Sequence, residues 1–407
     1  MLDLDSIKVY FKPFEVDGTY SSTWLEVSDY VTKIGNLKQD IDSADYQLGV
    51  FKNSSLSLEF ENRTGKFNDI DSTKSIFKYK RSDTQVKILY KKTREITECG
   101  CAITGMSYLA EELEIFKGLL NDDAYRQDAN TERITLKVLG LDSLFDRTEV
   151  PYASISSGDL CSAVIYTCLN QTAITSLLTV SSGNIVCGND KAIDDKTEME
   201  NETVADVLDD LLLASNSVLY IKDDTVYVAD RTESASSQKT FYGQGSPNGI
   251  ENIISLKDMN NGFHRLFNYF AWKDTSEKQS DTDSVTKYGV KRKEIAVDYF
   301  TNTTNINSML SSLLAEFKDP KQELNLTTKL DYAVFALNLL DKVNIDYPTI
   351  YVEGEAALPI CGVAVCGVGV LPDGLWSLTI DSATDFKILS KSYNLDKMEV
   401  TFKLREV

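Results

Sequence analysis

The sequence predicts a mainly β protein with an α+β interruption: a β-rich part, a small α/β unit, then a second β-rich part. Two observations predict it. Short runs of alternating apolar residues recur every 10 to 25 residues with turn signals between them, the pattern of an antiparallel barrel or sandwich. After Pro151 the apolar spacing changes to that of a helix, then changes back.

The first β-rich part opens with alternating Leu4, Ile7, Val9 and Phe11, closed by Pro13, which cannot donate to a sheet. "WLEVSDYVTKI" (24–34) reads as an extended segment, and "SLSLEF" (55–60) as a strand with one wet face. That strand runs into Glu61–Gly65, a polar turn, and leaves Phe67 alone among polar neighbours. A tight turn at Gly65 calls for positive φ, and a lone Phe after it is best placed by burial. "DTQVKILY" (83–90), "LEIFKGLL" (113–120) and "RITLKVLGL" (133–141) continue the strands.

In the middle, Leu160, Val164, Ile165, Cys168 and Leu169 share a helical face. So do Val204, Val207, Leu208, Leu211 and Leu212, with Thr203 and Asp206 placed as a capping box. "SVLYIKDDTVYVAD" follows as a hairpin turning at Asp223-Asp224. Residues 234–249 are turn-rich and read as a connector. Strands then resume at Ile253-Ile254 and "LFNYFAW" (266–272), and the polar stretch 273–287 reads as an exposed loop. Ile306, Met309, Leu310, Leu313, Leu314 and Phe317 form a helix stopped by Asp319-Pro320. "ELNLTTKL" and "VNIDYP" are strands, and 385–404 is a last hairpin.

Composition narrows the function. At 407 residues and 42% hydrophobic content the chain can bury two or three cores. A net charge of −20, from 62 acidic and 42 basic residues, is wrong for coating nucleic acid. No apolar run is long enough to span a membrane, and the acidic N-terminus is unlike a signal peptide. Seven cysteines without a secretory signal point to a reducing compartment.

No residue pattern calls for chemistry. The single histidine, His264, lacks the partners of a triad, a dyad or an HExxH site. Cys99, Cys101, Cys161, Cys168, Cys187, Cys361 and Cys366 do not reach zinc spacing and read as small buried side chains. No carboxylate pair stands out from so many, and no phosphate-cradling glycine loop is present. "CGVAVCGVGV" (361–370) reads as a tightly packed core strand rather than a membrane-active loop. Residues 77–94 form a basic island, seven Lys/Arg against one Asp; residues 190–231 carry twelve acidic and four basic residues. Each reads as a solvated face; the alternative is an electrostatic seat for an acidic neighbour, including another copy of the chain.

The order of these features resembles the baseplate hub, or tail-tip hub, proteins of tailed phages and phage-derived particles. The same module opens the tail-associated lysins and central fibres of long-tailed phages. "WLEVSDYVTKI", "SLEFENRTGKFND", "TQVKI", "LEIFKGLL", "ITLKVLGLDSLFDR", "TVADVLDDLLLASNSVLYIKDDTVYVADR", "GFHRLFNYF", "KYGVKR" and "INSMLSSLLAEFKDP" follow the family's order nearly end to end. One departure is "LLDKVNI" (339–345), where relatives often have Pro-Gly-Asp and this chain has Leu339-Leu340-Asp341.

The resemblance implies two antiparallel β-barrel domains, 1–148 and 250–407 (the second with a long helix), flanking an α/β domain at 149–249. It implies a homotrimer at the distal end of a tail, assembled in the host cytoplasm, bridging the six-fold tube or distal tail protein to three-fold tip parts. The implied partners are the end of the tape measure protein, a central fibre or spike, and DNA passing transiently through a channel; the net charge of −20 adds the expectation that the channel wall is acidic. It implies no catalytic residue, cofactor, metal or stable membrane insertion. The competing expectations are a tail-associated cell-wall hydrolase and a host-receptor adhesin.

Overall fold

The computed structural model describes residues 7–41, 54–68, 74–77, 79–94, 109–128, 132–232, 236–243, 246, 249–347, 380 and 383–407. The first part contributes β1 (Ile7–Lys12), β2 (Leu25–Glu26), β3 (Val31–Ile34), β4 (Leu37–Asp40), β5 (Ser55–Glu61), β6 (Gln85–Arg94), β7 (Leu109–Asp128) and β8 (Arg133–Gly140). All but β4 form one antiparallel sheet in the order β2-β1-β6-β7-β8-β5-β3.

Its two edge strands, β2 and β3, are neighbours in the chain, joined through a 3-10 turn at Ser28–Tyr30. Seven flat strands would hold their edges about 29 Å apart, at ~4.8 Å per step. The five residues from Glu26 to Val31 reach at most about 17 Å, so the sheet has to curl. The same turn breaks the segment 24–34, expected to be continuously extended, into two short strands. Its Ser28 hydroxyl accepts from the Val9 N–H at 3.0 Å, a bond that a straight strand would not offer.

Inside the curl, Phe67 is fully buried against Phe60, Phe11 and Tyr30, with ring centroids at 4.5, 6.2 and 5.7 Å. Asn62 holds it there. Its backbone carbonyl accepts from Gly65 at 2.9 Å, and its side chain accepts from the Phe67 N–H at 2.9 Å and donates to Asn68 at 2.7 Å. Gly65 has φ +71°, as the turn requires.

The middle of the chain supplies α1 (Ser143–Asp146), α2 (Cys161–Leu169), α3 (Thr172–Thr175), α4 (Val204–Ala214), β9 (Ser217–Lys222) and β10 (Thr225–Asp230). Thr203 caps α4 by accepting from the Asp206 N–H. Asp223 and Asp224, at φ 48° and 58°, make the β9–β10 turn with both residues left-handed, the hairpin geometry that matches strand twist.

The remainder supplies β11 (Lys239–Tyr242), β12 (Ile253–Asn260), β13 (Tyr269–Trp272), β14 (Lys278–Ser280), α5 (Thr282–Tyr288), β15 (Arg292–Ile295), α6 (Thr303–Phe317), β16 (Glu323–Lys329), α7 (Tyr332–Phe335), β17 (Lys342–Asp346), β18 (Asp385–Asn394) and β19 (Glu399–Glu406). The second large sheet runs β11-β17-β18-β19-β16-β12, and β4 joins it by pairing with β18. Its edges, too, are chain neighbours: the Asn252 N–H donates to the Tyr242 carbonyl at 3.0 Å, and the Tyr242 N–H to the Asn252 side chain at 2.8 Å.

Three further expectations change. The connector 234–249 contains β11, which pairs in parallel with the distant β17 and buries one residue, Phe241; so short a strand has no alternation to read. The extended run 266–272 is a strand only from Tyr269, because a 3-10 turn at Phe263–Arg265 precedes it. The loop 273–287 contains β14 and α5. Asp281 caps α5 by accepting from Ser284 at 2.9 Å and Gly289 ends it at φ +74°, but only Val285 offers an apolar signal. Leu4, Cys99, Cys101 and the 361–370 segment lie outside the described residues.

Two hydrophobic cores result. One is shared by the two large sheets. The other unites α1–α4 and β9–β10 with residues 266–317, so α6 buries Ile306, Met309, Leu310, Leu313 and Phe317 against the middle unit.

An ion cluster fastens this unit to the second sheet. Glu323 and Arg265, each 1% exposed, meet at 3.0 Å, with His264 at 3.3 Å and Lys403 at 3.6 Å from the same carboxylate. Beside them Arg405 lies 3.5 Å from Glu316 on α6 and over the Phe317 ring.

Melting experiments test these assignments. Phe67→Ala should cost about 3–5 kcal/mol, since it empties a packed ring site. Gly65→Val should cost about 1–3 kcal/mol through backbone strain. Unchanged melting in both would mean that the segment is a loose surface turn. Glu323→Gln should cost about 3–5 kcal/mol, because it strands buried Arg265; a loss under 1 kcal/mol would show that the cluster does not hold the two cores together.

Candidate functional site

A cleft of about 340 Å³ opens where the first sheet, the β9–β10 hairpin and the second sheet meet. Glu114 and Lys117 of β7, Asp142, Tyr220 and Asp224 of the hairpin, and Lys391 of β18 line it. Strand alternation aims Lys117 at the hairpin, where it pairs with Asp224. Lys391 donates to the Leu337 carbonyl at 2.6 Å.

Asp142 is buried and accepts from the Ser54 N–H at 2.7 Å; burial pushes its carboxyl up to about 7. Burial also raises Glu114, with the Asp224 charge adding to it. Raised carboxyls can act as acids, but these line a junction. No histidine or cysteine lies among the described residues of the cleft, and Lys117, Asp224, Asp142 and Lys391 bond to the elements that form it.

The residues singled out in the sequence are scattered. His264 belongs to the Glu323 cluster, 3.3 Å from that carboxylate. Cys161 and Cys168 are buried, and burial pushes their thiols up to about 12 and that of Cys187 to about 11, so thiolate chemistry is suppressed. Among the described residues no group of three His, Cys, Asp or Glu is placed to hold a metal.

The basic island is answered within the chain. β6 pairs with the acidic start of β7, in a register that puts Lys91 beside Glu112. Lys91 bonds Glu112, which raises its ammonium, and Lys80 bonds Asp83 at 2.8 Å. Lys87 sits over the rings of Trp24 and Tyr10, at 4.5 and 5.4 Å.

The acidic segment is only partly used. Asp190 accepts from the Ser162 N–H and hydroxyl at the start of α2. Asp194 accepts from the N–H groups of Thr301 and Asn302, both at 2.8 Å, at the start of α6. Burial pushes Asp210 up to about 6 against a hydrogen bond from Tyr299, with Asp298, Asp206 and Glu202 adding repulsion. Asp195, Glu198, Glu200, Glu202 and Asp206 stay exposed around it.

Sequence reading missed one surface. The loop 288–290 is clasped by buried Asn268, which donates to the Gly289 carbonyl at 2.8 Å and accepts from the Lys291 N–H at 2.8 Å. This clasp joins two motifs noted separately, "GFHRLFNYF" and "KYGVKR". It presents Val290, 62% exposed, two residues after Tyr288, whose ring meets that of Phe263, 43% exposed, edge-on at 5.4 Å. The available signal was four cations in the seven residues 287–293, in an acidic chain.

No protein-family model matches the sequence, and no curated protein does. Two solved structures share the fold over nearly their whole length. The tail protein from Neisseria meningitidis MC58 superposes with a TM-score of 0.54 at 12% identity, covering 98% of this chain and 96% of that one. The 43 kDa tail protein of prophage MuSo2 from Shewanella oneidensis superposes with a TM-score of 0.51 at 11% identity, covering 99% of this chain and 97% of that one. The chain therefore has a β-rich α+β fold that is also found in phage tail proteins.

Proposed function

We propose that the chain is a structural tail component that acts as the hub at the distal end of a phage or phage-derived tail. The observation that carries this reading is the likeness in fold to two phage tail proteins, which covers the chain end to end rather than one module of it. The internal architecture supports it. One chain holds two curled sheets with chain-adjacent edges, so three copies offer six such sheets around an axis. That is the arithmetic needed to join a six-fold tube, or a distal tail ring, to a three-fold fibre or spike. The end of the tape measure protein would sit in the central opening.

The function proposed is assembly without catalysis. The buried charges described above are bonded to structural partners, and the cleft ends at a junction of elements. DNA crosses the opening during ejection. A chain at −20 has the carboxylates for a repelling wall, which would let the phosphate backbone pass without sticking.

Light scattering on the purified chain should give a trimer at high concentration, and negative-stain images should show a three-fold ring with a central hole. A chain that stays monomeric even with its tail partners present would sink the hub reading. Zymography against bacterial cell wall should show no clearing; a cleared zone would turn the assignment to a tail-associated hydrolase.

A further inference from the structure

α6 is 15 residues long, about 22 Å from end to end. Its two ends carry opposite surfaces. At the N-terminal end, anchored by Asp194 on Thr301 and Asn302, lies the run 194–206 with six carboxylates and one lysine. That lysine, Lys196, is turned onto the carbonyls of Tyr152 and Ile155. At the C-terminal end, the Phe317 carbonyl accepts from Phe267 at 2.9 Å and Lys318 pairs with Asp281 at 3.0 Å. There Phe263 meets Tyr288 edge-on, with Val290 two residues further on, among Lys287, Lys291 and Arg292; Glu294 pairs with Arg292 at 3.2 Å and Asp319 lies near Lys287, so the cations outnumber the carboxylates only narrowly.

The helix dipole favours charges of these signs at these ends, but it amounts to about half an elementary charge at each. One carboxylate touches the helix start; five more follow in the run, and Asp210 feels the repulsion of two of them, Asp206 and Glu202. The dipole also gives no reason to expose Val290 and Phe263. At Gly262, φ +67°, an added Cβ would collide with the Lys321 backbone, so the approach to Phe263 is built closely onto the fold.

We infer that the basic-rimmed apolar loop at Phe263, Tyr288 and Val290 is a docking surface for the acidic 194–206 face of a second copy of this chain. The contact is head-to-tail. One copy presents the C-terminal end of α6 and the next presents the N-terminal end, so each chain has one surface of each kind. Such heterologous contacts close into a ring when the rotation allows. Apolar groups give the contact its area, and the opposed charges set its partner and direction. This rests on the reading that copies of the chain associate, and it deepens that reading by naming the surface.

The test uses the full chain in two charge-reversed forms, one with Lys287→Glu, Lys291→Glu and Arg292→Glu, the other with Glu198→Lys, Glu200→Lys and Glu202→Lys. All six side chains are exposed, so near-ultraviolet circular dichroism should match the parent. Self-association is followed by sedimentation. Each form alone should associate at least tenfold more weakly, and an equimolar mixture of the two should recover heterotypic association. Raising the salt from 0.1 to 0.5 M should weaken the parent, because screening shortens the reach of the charges. If both forms assemble like the parent, the docking surface is elsewhere and this inference is overturned, while the hub reading stands. A parent that stays monomeric alone overturns it too; if the parent remains monomeric with tail partners added, the hub reading falls with it.

Discussion

The pairing of β4 with β18 is the constraint on which the rest of the structure depends. β4 leaves the edge of the first sheet two residues after β3 and adds four residues, Leu37–Asp40, to the second. Ile41 extends the join by donating to the Leu389 carbonyl at 3.1 Å, and Leu37 is fully buried. Without this strand the second half of β18, Ser390–Tyr393, would lose its partner on that side, because β17 pairs only with its first half. With it, apolar residues from Ile7 to Leu404 form one continuous cluster. The long-range hydrogen bonds also fix where β18 must lie, and so where β17, β19 and β16 follow.

The charges divide into two populations. Those at junctions are desolvated and bonded: Glu323 with Arg265, Lys117 with Asp224, Asp142 with the Ser54 N–H. A pair like the first gains little over apolar residues of the same shape, but breaking it is expensive, so it specifies how two units meet more than it stabilises them. The second population is solvated: the acidic run 194–206 lies by the start of α6, and Lys287, Lys291 and Arg292 lie by its end together with Asp283 and Asp319. Acidity read from composition alone as solubility is therefore a mixture of internal fasteners and an oriented surface.

Much of the local structure was legible because the signals are local. Thr203 three residues before Asp206, Asp223-Asp224 between two alternating runs, and Gly65 ahead of Phe67 each describe a geometry that closes within a few residues. α5 and β11 were not legible. α5 is held by a cap and a glycine with almost no apolar face, and β11 exists because β17, a hundred residues away, offers it a parallel edge. Leu340 shows the limit from the other side. It sits at φ +68°, held by its N–H bond to the Ile388 carbonyl at 2.9 Å and by packing against the core. The fold imposes on a leucine a backbone conformation that leucine rarely adopts.

The sequence by itself determined the alternation of β-rich and helical parts, the turns at Gly65 and Asp223-Asp224 and the cap at Thr203, because each depends on side chains within a few positions of one another. Only the tertiary structure decided which strands share a sheet, that α6 belongs with the middle unit, that the basic island meets its own acidic strand, and that Phe263 and Val290 share one rigid surface. Those outcomes depend on pairings across tens to hundreds of residues, where many registers satisfy the same local pattern. Burial of the whole set selects among them.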